Sequence, residues 1–268
     1  YTLQLNNPAL LAELTGIDVV AEFRTRDLAA GGQGAPLVPA FHAEIFGAST
    51  HTVAVVNIGG ISNISILQSA SSQSHTRLGS PAITGFDCGP GNALMDQWCM
   101  QHRGLAFDDN GQWARSGQVH VPLLQAMMAE AFLQQTPPKS TGRDLFHPKW
   151  LASHLANFTN VSAVDVQATL TEFTALACAN DVLRYAYGAK ELIVCGGGAL
   201  NGFLTERLQA ALPNCQVLSS DERGMPPLQV EATAFAWLAR QTVLGLTSNA
   251  PKVTGAKGAR ILGGIFPA

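Results

Sequence analysis

Three β-branched apolar runs in this chain close on glycine: HTVAVVNIGGISNISIL (51–67), PAITGFDCGPGN (81–92) and ELIVCGGGALN (191–201). Each run is long enough for a buried strand. Each glycine cluster turns or stops the chain where a Cβ would be in the way. Gly59-Gly60, between two β-rich runs, reads as a hairpin tip. Gly196-Gly197-Gly198 stands between a strand and the helical segment NGFLTERLQAAL. Bare backbone there meets a helix N-terminus, a natural place for an anion or a flat ligand. The same three glycines also suit a tight packing corner. In GFDCGPGNALMDQW (85–98), a strand over 81–86 meets Gly89, Pro90 and Gly91, which are expected to end it before a helix over 92–102. Asp87 is left as a carboxylate at a strand end, where open α/β sheets place ligands. The alternative is an acid that only accepts hydrogen bonds from the turn amides.

The intervening segments say α/β. IDVVAEF ends a strand at residue 23, and RTRDLAAGGQGAPLVPAFH (24–42) reads as a glycine- and proline-rich loop carrying a fourth cluster, GGQGAP (31–36). SASSQSHTRLGS (69–80) and TPPKSTGRDLF (136–146) read as loops. Helices are expected over 121–135, over 166–188 with Asp165 as cap and Gly188 as stop, and over 228–246, with a further strand over 215–220.

Composition removes several classes of function. The net charge is −3 without a basic run, so nucleic-acid binding is not expected. No apolar run approaches 18 residues, so no membrane helix is expected. Five cysteines, odd in number and without a CxxC pair, read as reduced cytosolic thiols rather than a disulfide framework or zinc site. Seven histidines show no HExxH spacing, and no metal-ligand cluster is inferred. Neither G-x-x-x-x-G-K-[ST] nor G-x-G-x-x-G occurs, which leaves a P-loop and a dinucleotide fingerprint unsupported.

The order RTRDLAAGGQGAPLVPAFH, VVNIGGISNIS, FDCGPGNALMDQW, PKSTGRDLF, DVQATL, VCGGGALN, VEATAFAWLA, LGGIFPA spans the chain. Together these blocks resemble the anhydro-N-acetylmuramic acid kinases, bacterial cell-wall recycling enzymes of the actin/hexokinase/Hsp70-like ATPase superfamily. The resemblance implies a two-lobed actin-like, ribonuclease H-like α/β fold. Residues 1–45 would be a remnant of the first lobe, 46–246 the second lobe, and 247–268 a segment returning to the first. The family's SGTSxDG-type phosphate motif does not occur here, and the chain starts at Tyr1 in mid-pattern, so the first lobe is expected to be incomplete in this chain. Cys88 stands where threonine is common in the family.

The resemblance also implies the chemistry: ATP with Mg²⁺ as cofactors, 1,6-anhydro-N-acetylmuramic acid as the small-molecule substrate, and a cytoplasmic place in peptidoglycan recycling, with a homodimer compatible. Asp87 matches the family's catalytic base. Substrate O6 carries no proton, because it is tied to C1 in the anhydro bridge. A base is therefore of use on a water attacking C1, not on a sugar hydroxyl. Glu231 matches a sugar-binding acid; its other reading is an acid favoured near a helix N-terminus, and an acid among the apolar residues of VEATAFAWLA is costly to bury unpaired. Arg26, with Asp27 and Arg24 beside it, is a candidate to hold the lactyl carboxylate, or else a surface ion cluster. Asn57, Gly59, Gly60, Gly196, Gly197, Gly198 and the loop Gly31, Gly32, Gln33, Gly34 are the nucleotide candidates. Arg143 is a weaker one, with a solvated loop as its other reading. Trp98, Trp150 and Trp237 are expected in the core. The alternatives are another sugar kinase of the superfamily, or a non-catalytic nucleotide- or sugar-binding fragment.

Overall fold

The computed structural model describes residues 3–48, 50–69 and 83–268. Most of the loop expected over 69–80, and the first two residues of the strand expected over 81–86, lie outside the described residues. The chain opens with α1 (Pro8–Thr15), β1 (Val19–Ala21), α2 (Thr25–Ala29) and α3 (Val38–Phe46). The hairpin β2 (Thr52–Ile58) and β3 (Ile61–Leu67) follows, then β4 (Ile83–Pro90) and α4 (Asn92–Arg103). Helices α5 (Gln112–Arg115), α6 (Val121–Met128), α7 (Ala131–Gln134), α8 (Pro148–Leu155) and α9 (Ala163–Tyr185) lead to β5 (Ala189–Cys195), α10 (Gly202–Ala211) and β6 (Gln216–Ser219). The chain closes with α11 (Val230–Val243), α12 (Pro251–Thr254) and β7 (Gly264–Phe266).

The main sheet has the order β4-β3-β2-β5-β6. Strand β3 runs antiparallel to β2 and β4, while β2, β5 and β6 are parallel. Counted along the chain, that is 3-2-1-4-5 with the second strand reversed, the ribonuclease H-like sheet of actin-like ATPases that the resemblance implies. Burial on both faces explains why the strands read as near-continuous apolar runs. Ala54, Val56, Ile58, Ile64, Ile66, Phe86, Cys88, Leu192 and Val194 pack against α4, α6, α9 and α10. Val53, Val55, Leu67, Ile193 and Cys195 face the other way, against α3 and α11. The alternation assigns odd-numbered β2 and β3 residues to the α3/α11 face, and so fixes where Asn57 and Asn63 point.

Several expected boundaries move. The loop over 24–42 contains two helices. Pro39 stands in the first turn of α3, where a missing N–H costs nothing, and α3 crosses the lobe boundary expected after residue 45. The helix over 121–135 breaks into α6 and α7, the second capped by the Glu130 side chain. The cap of α9 is Ser162, whose hydroxyl accepts from the Asp165 N–H, not Asp165 itself; the helix ends at Tyr185, short of Gly188. Strand β4 does not stop before Asp87. It continues to Pro90 through a bulge: Asn63 opposes Asp87, Ser62 opposes Gly89, and Cys88 is the extra residue. Gly89 supplies the φ of +138° that this requires. At the end of the described sheet, Pro90 breaks no ladder. The C-terminal segment runs back to the first residues, with β7 antiparallel to β1.

Candidate active site

Register alone gathers the polar groups. Cys195 opposes Asn57, Asn57 opposes Asn63, and Asn63 opposes Asp87, so four adjacent strands contribute one row across the carboxyl edge of the parallel strands. Strands lie about 4.8 Å apart, which puts Asp87 within about 15 Å of the glycine corner after β5. Phe86 and Cys88 belong to the opposite core, so Asp87 projects to the α3/α11 side, as Asn57, Asn63 and Cys195 do.

Three cavities adjoin along this edge. The first, about 370 Å³, is lined by Arg24, His42, Asn57, Gly59, Asn63, Gly196, Gly197 and Glu231, among others. The second, about 300 Å³, holds Asp87 with Gln33, Lys139 and Ser140, and shares Ala35 and Pro36 with the first. The third, about 400 Å³, is lined by Asn92, Asp96, Asn110, Leu200 and Asn201, and shares Gly197 and Leu228 with the first. The cleft thus runs from Asn201 at one end to Asp87 at the other.

Asp87 is half-buried. Its Oδ2 accepts from the Ser140 hydroxyl and the Thr141 N–H, both at 2.9 Å, and its own N–H donates to the Lys139 carbonyl at 3.2 Å. Oδ1 has no hydrogen bond among the described residues. One oxygen is held and the other is unengaged among the described residues, in a side chain that lines the second cavity. The holding segment is itself anchored, because the fully buried Lys139 ammonium lies 3.0 Å from the Asp181 carboxylate on α9. Burial pushes the Asp181 carboxyl up, and the lysine draws it back.

The hairpin tip and α4 are stitched together. The Asn92 N–H donates to the Gly59 carbonyl at 2.7 Å, and its side-chain amide to the Ile58 carbonyl at 3.0 Å. A Cβ at Gly91 would collide with the Gly59 carbonyl, so the GPGN motif exists for this approach. The N-terminus of α4, with its partial positive charge, is thereby fixed against the hairpin tip.

The three glycines after β5 divide into two kinds. A Cβ on Gly196 would strike the Asn57 side chain, and one on Gly198 would come within 2.5 Å of Ile58, so both serve packing. Gly197 lines two of the cavities, and its nearest neighbour would be the Asn92 amide at 3.3 Å.

Elsewhere the sequence expectations shift. Glu231 is exposed in the first turn of α11 and lines the first cavity, so the cost of burying it does not arise. Asp27 does not lie open to a substrate. It is fully buried, and its carboxylate accepts from the Gly34 N–H, the Asn249 amide and the Thr254 hydroxyl at 2.8–2.9 Å. Gly32 leaves no room for a Cβ beside that carboxylate, and Gly31 packs by Lys257, so this loop's glycines close it around Asp27; Gln33 alone of the four reaches the Asp87 cavity. Arg26 is exposed, while the Arg24 guanidinium donates to the Gly34 carbonyl. Trp98, Trp150 and Trp237 are half-buried against the two cores.

His42 and Asn63 escaped the sequence reading. His42 is buried on α3, with Nδ1 2.9 Å from the Ser65 hydroxyl and Nε2 without a partner among the described residues, at the wall of the first cavity. Burial pushes its imidazole down to about 3, so it is neutral at pH 7. The period-two pattern of β3 could have pointed to Asn63, since a polar residue in phase with Ser65 faces the same side. Nothing in PAFHA distinguishes His42 from a packing histidine.

Comparison with known proteins agrees along the chain. The model of the anhydro-N-acetylmuramic acid kinase family matches residues 1–268. A protein of Variovorax paradoxus with that name is 61% identical over all of this chain and 70% of its own length. One of Albidiferax ferrireducens is 59% identical over all of this chain and 72% of its length. Among solved structures, the activator of the 2-hydroxyisocaproyl-CoA dehydratase from Clostridium difficile, with bound ADPNP, is similar at a TM-score of 0.45 and 13% identity, over 78% of this chain and 68% of that one. With a whole-chain family match and relatives at this identity, the chain belongs to the anhydro-N-acetylmuramic acid kinase family.

Proposed function

We propose that this protein is an ATP-dependent kinase of 1,6-anhydro-N-acetylmuramic acid that opens the anhydro ring with water as it phosphorylates O6. Family membership supports the substrate. The observation that carries the mechanism is the state of Asp87: one carboxylate oxygen tied to Ser140 and Thr141, the other without a hydrogen bond among the described residues, in a side chain that lines a cavity. A base that must take a proton from water needs a fixed carboxylate with a free lone pair, and this arrangement supplies one.

The cleft suits a nucleotide at its other end. The open backbone at Gly197 and the cavity beside Leu200 and Asn201 would take the nucleoside. The glycine tip and the α4 N-terminus would take the phosphates. Magnesium on those phosphates would supply charge neutralisation. Glu231, Asn57, Asn63 and the neutral His42 line the space between, where the sugar would be held by hydrogen bonds. The exposed Arg26 remains the candidate for the lactyl carboxylate.

In the reaction, Asp87 takes a proton from water as the water oxygen bonds to C1. The C1–O6 bond breaks, O6 bonds to the γ-phosphorus, and the bridging oxygen leaves with ADP. A reaction in ¹⁸O-labelled water tests this. Label is expected at C1 of the sugar phosphate, above the exchange measured on preformed product, and none in the transferred phosphate. Label in the phosphate would overturn the mechanism.

A further inference from the structure

Arg143, the weaker nucleotide candidate of the sequence, is a cation that the proposed reaction has not yet used. It is exposed, and its guanidinium makes no hydrogen bond or ion pair among the described residues. Yet it is not a loose side chain over solvent. A Cβ built on Gly60 would lie 2.6 Å from its Nη2 and 2.7 Å from its Nε, so the donor edge of the guanidinium rests against the hairpin tip. Any other residue at position 60 would displace it. Its charge also reaches Asp96 on α4, whose carboxyl is pushed up to about 6 by burial and drawn down by Arg143. Asp96 lines the cavity at the Asn201 end of the cleft.

The backbone ties this cation to the reacting carboxylate. Thr141, two residues earlier, donates its N–H to Asp87. Arg143 itself stands in a tight turn, in which the Leu145 and Phe146 N–H groups are directed to the Gly142 carbonyl, and Phe146 is locked in the core. Two residues span at most about 7 Å. One short segment thus presents the holder of Asp87 and a guanidinium that no hydrogen bond among the described residues engages.

The two basic side chains that line the three cavities, Lys139 and Arg24, are engaged. The Lys139 ammonium is committed to Asp181 inside the core, and Arg24 donates to the Gly34 carbonyl. Phosphoryl transfer spreads negative charge over the equatorial oxygens of the moving group, and a planar guanidinium with free N–H donors matches that geometry. We propose that Arg143 is a catalytic residue that binds the phosphoryl group in transit between the nucleotide and O6, with Gly60 kept bare so that the guanidinium can lie on the hairpin tip. This rests on the kinase reading above.

The test compares Arg143→Ala, Arg143→Lys and, as a control, Arg115→Ala, which removes an exposed ion pair with Glu206 away from the cleft. The full-length gene product is assayed for turnover of the anhydro sugar. Arg143→Ala is expected to lower kcat by ~10²-fold or more, with sugar KM changed by less than about threefold. Its melting temperature should match wild type, and millimolar guanidinium should restore part of the rate. Arg143→Lys should fall between, and Arg115→Ala should equal wild type. Affinity for ADP alone should persist in Arg143→Ala, while affinity for ADP with aluminium fluoride falls by ~10²-fold. That binding readout is independent of the sugar, so wild-type failure on the anhydro sugar would refute the substrate reading without touching Arg143. A folded Arg143→Ala protein with near-normal kcat, or with unchanged aluminium fluoride affinity, would overturn the proposal.

Discussion

Two aspartates beside glycine clusters look alike in sequence and differ in the fold. Asp27 precedes GGQG, and Asp87 precedes GPGN. Around Asp27 the loop folds inward: three donors engage both carboxylate oxygens, no surface is exposed, and the adjacent glycine leaves space for it. Around Asp87 the glycines serve the backbone instead. Gly89 makes the bulge and Gly91 admits the hairpin tip, so the carboxylate stays at the cleft with one oxygen unengaged. A buried carboxylate with both oxygens hydrogen-bonded is a structural pin. One held by a single oxygen at the wall of a cavity is free to do chemistry.

Removing the pin should give the largest effect on stability. Asp27→Ala leaves the Gly34 N–H, Asn249 and Thr254 without their acceptor, and should cost about 3 kcal/mol in denaturant unfolding. The folded fraction should keep its kcat to within a fewfold. A variant that stays stable but loses turnover would erase the distinction between the two acids.

Gly197→Val sharpens the comparison at the third corner. Unlike Gly196 and Gly198, Gly197 meets nothing closer than the Asn92 amide, so the fold should tolerate the change. The side chain would intrude on the proposed nucleotide path, raising the ATP dissociation constant by about tenfold, or about 1.4 kcal/mol. Calorimetry should show sugar affinity unchanged; a fall there would place the wrong ligand at this turn.

The smallest effect is a pH dependence at Asp96. Its folded carboxyl titrates near 6, above the usual aspartate value, so the native state holds the proton more tightly than the unfolded chain. Stability from this group is therefore greatest below about pH 4 and declines as pH rises through 6. Asp96→Asn should be more stable than wild type at pH 8 in denaturant unfolding, by on the order of 1 kcal/mol once solvent screening of this half-exposed group is counted. The difference should vanish below pH 4. A constant gain at all pH values would exclude the titration of Asp96 as its source.

What the sequence could show follows from what is local. Apolar runs and glycines marked the strands and corners, because backbone conformation and burial are written residue by residue. The segment 24–42 misled, since Gly and Pro mark loops on average, while Pro39 sits where a helix accepts it. The bulge at Cys88 was hidden, because register belongs to the pair of strands and not to either alone. The same holds for the row from Asp87 to Asn57, for the orphan nitrogen of His42 and for the engagement of Asp27 by residues more than two hundred positions away. The motifs of the family located the cleft, and only tertiary hydrogen bonding separated the proposed base from the pin.

The most direct test is to measure turnover and melting temperature together on Asp87→Asn. The amide keeps the size of the side chain and an oxygen to accept from Ser140 and Thr141, but removes the base. The expected result is a protein that melts within about 2 °C of wild type and binds both substrates, with ring opening and phosphoryl transfer lost together by ~10²–10⁴-fold. A folded Asp87→Asn protein with near-normal turnover, its melting point lowered instead, would make Asp87 a second Asp27 and contradict the account.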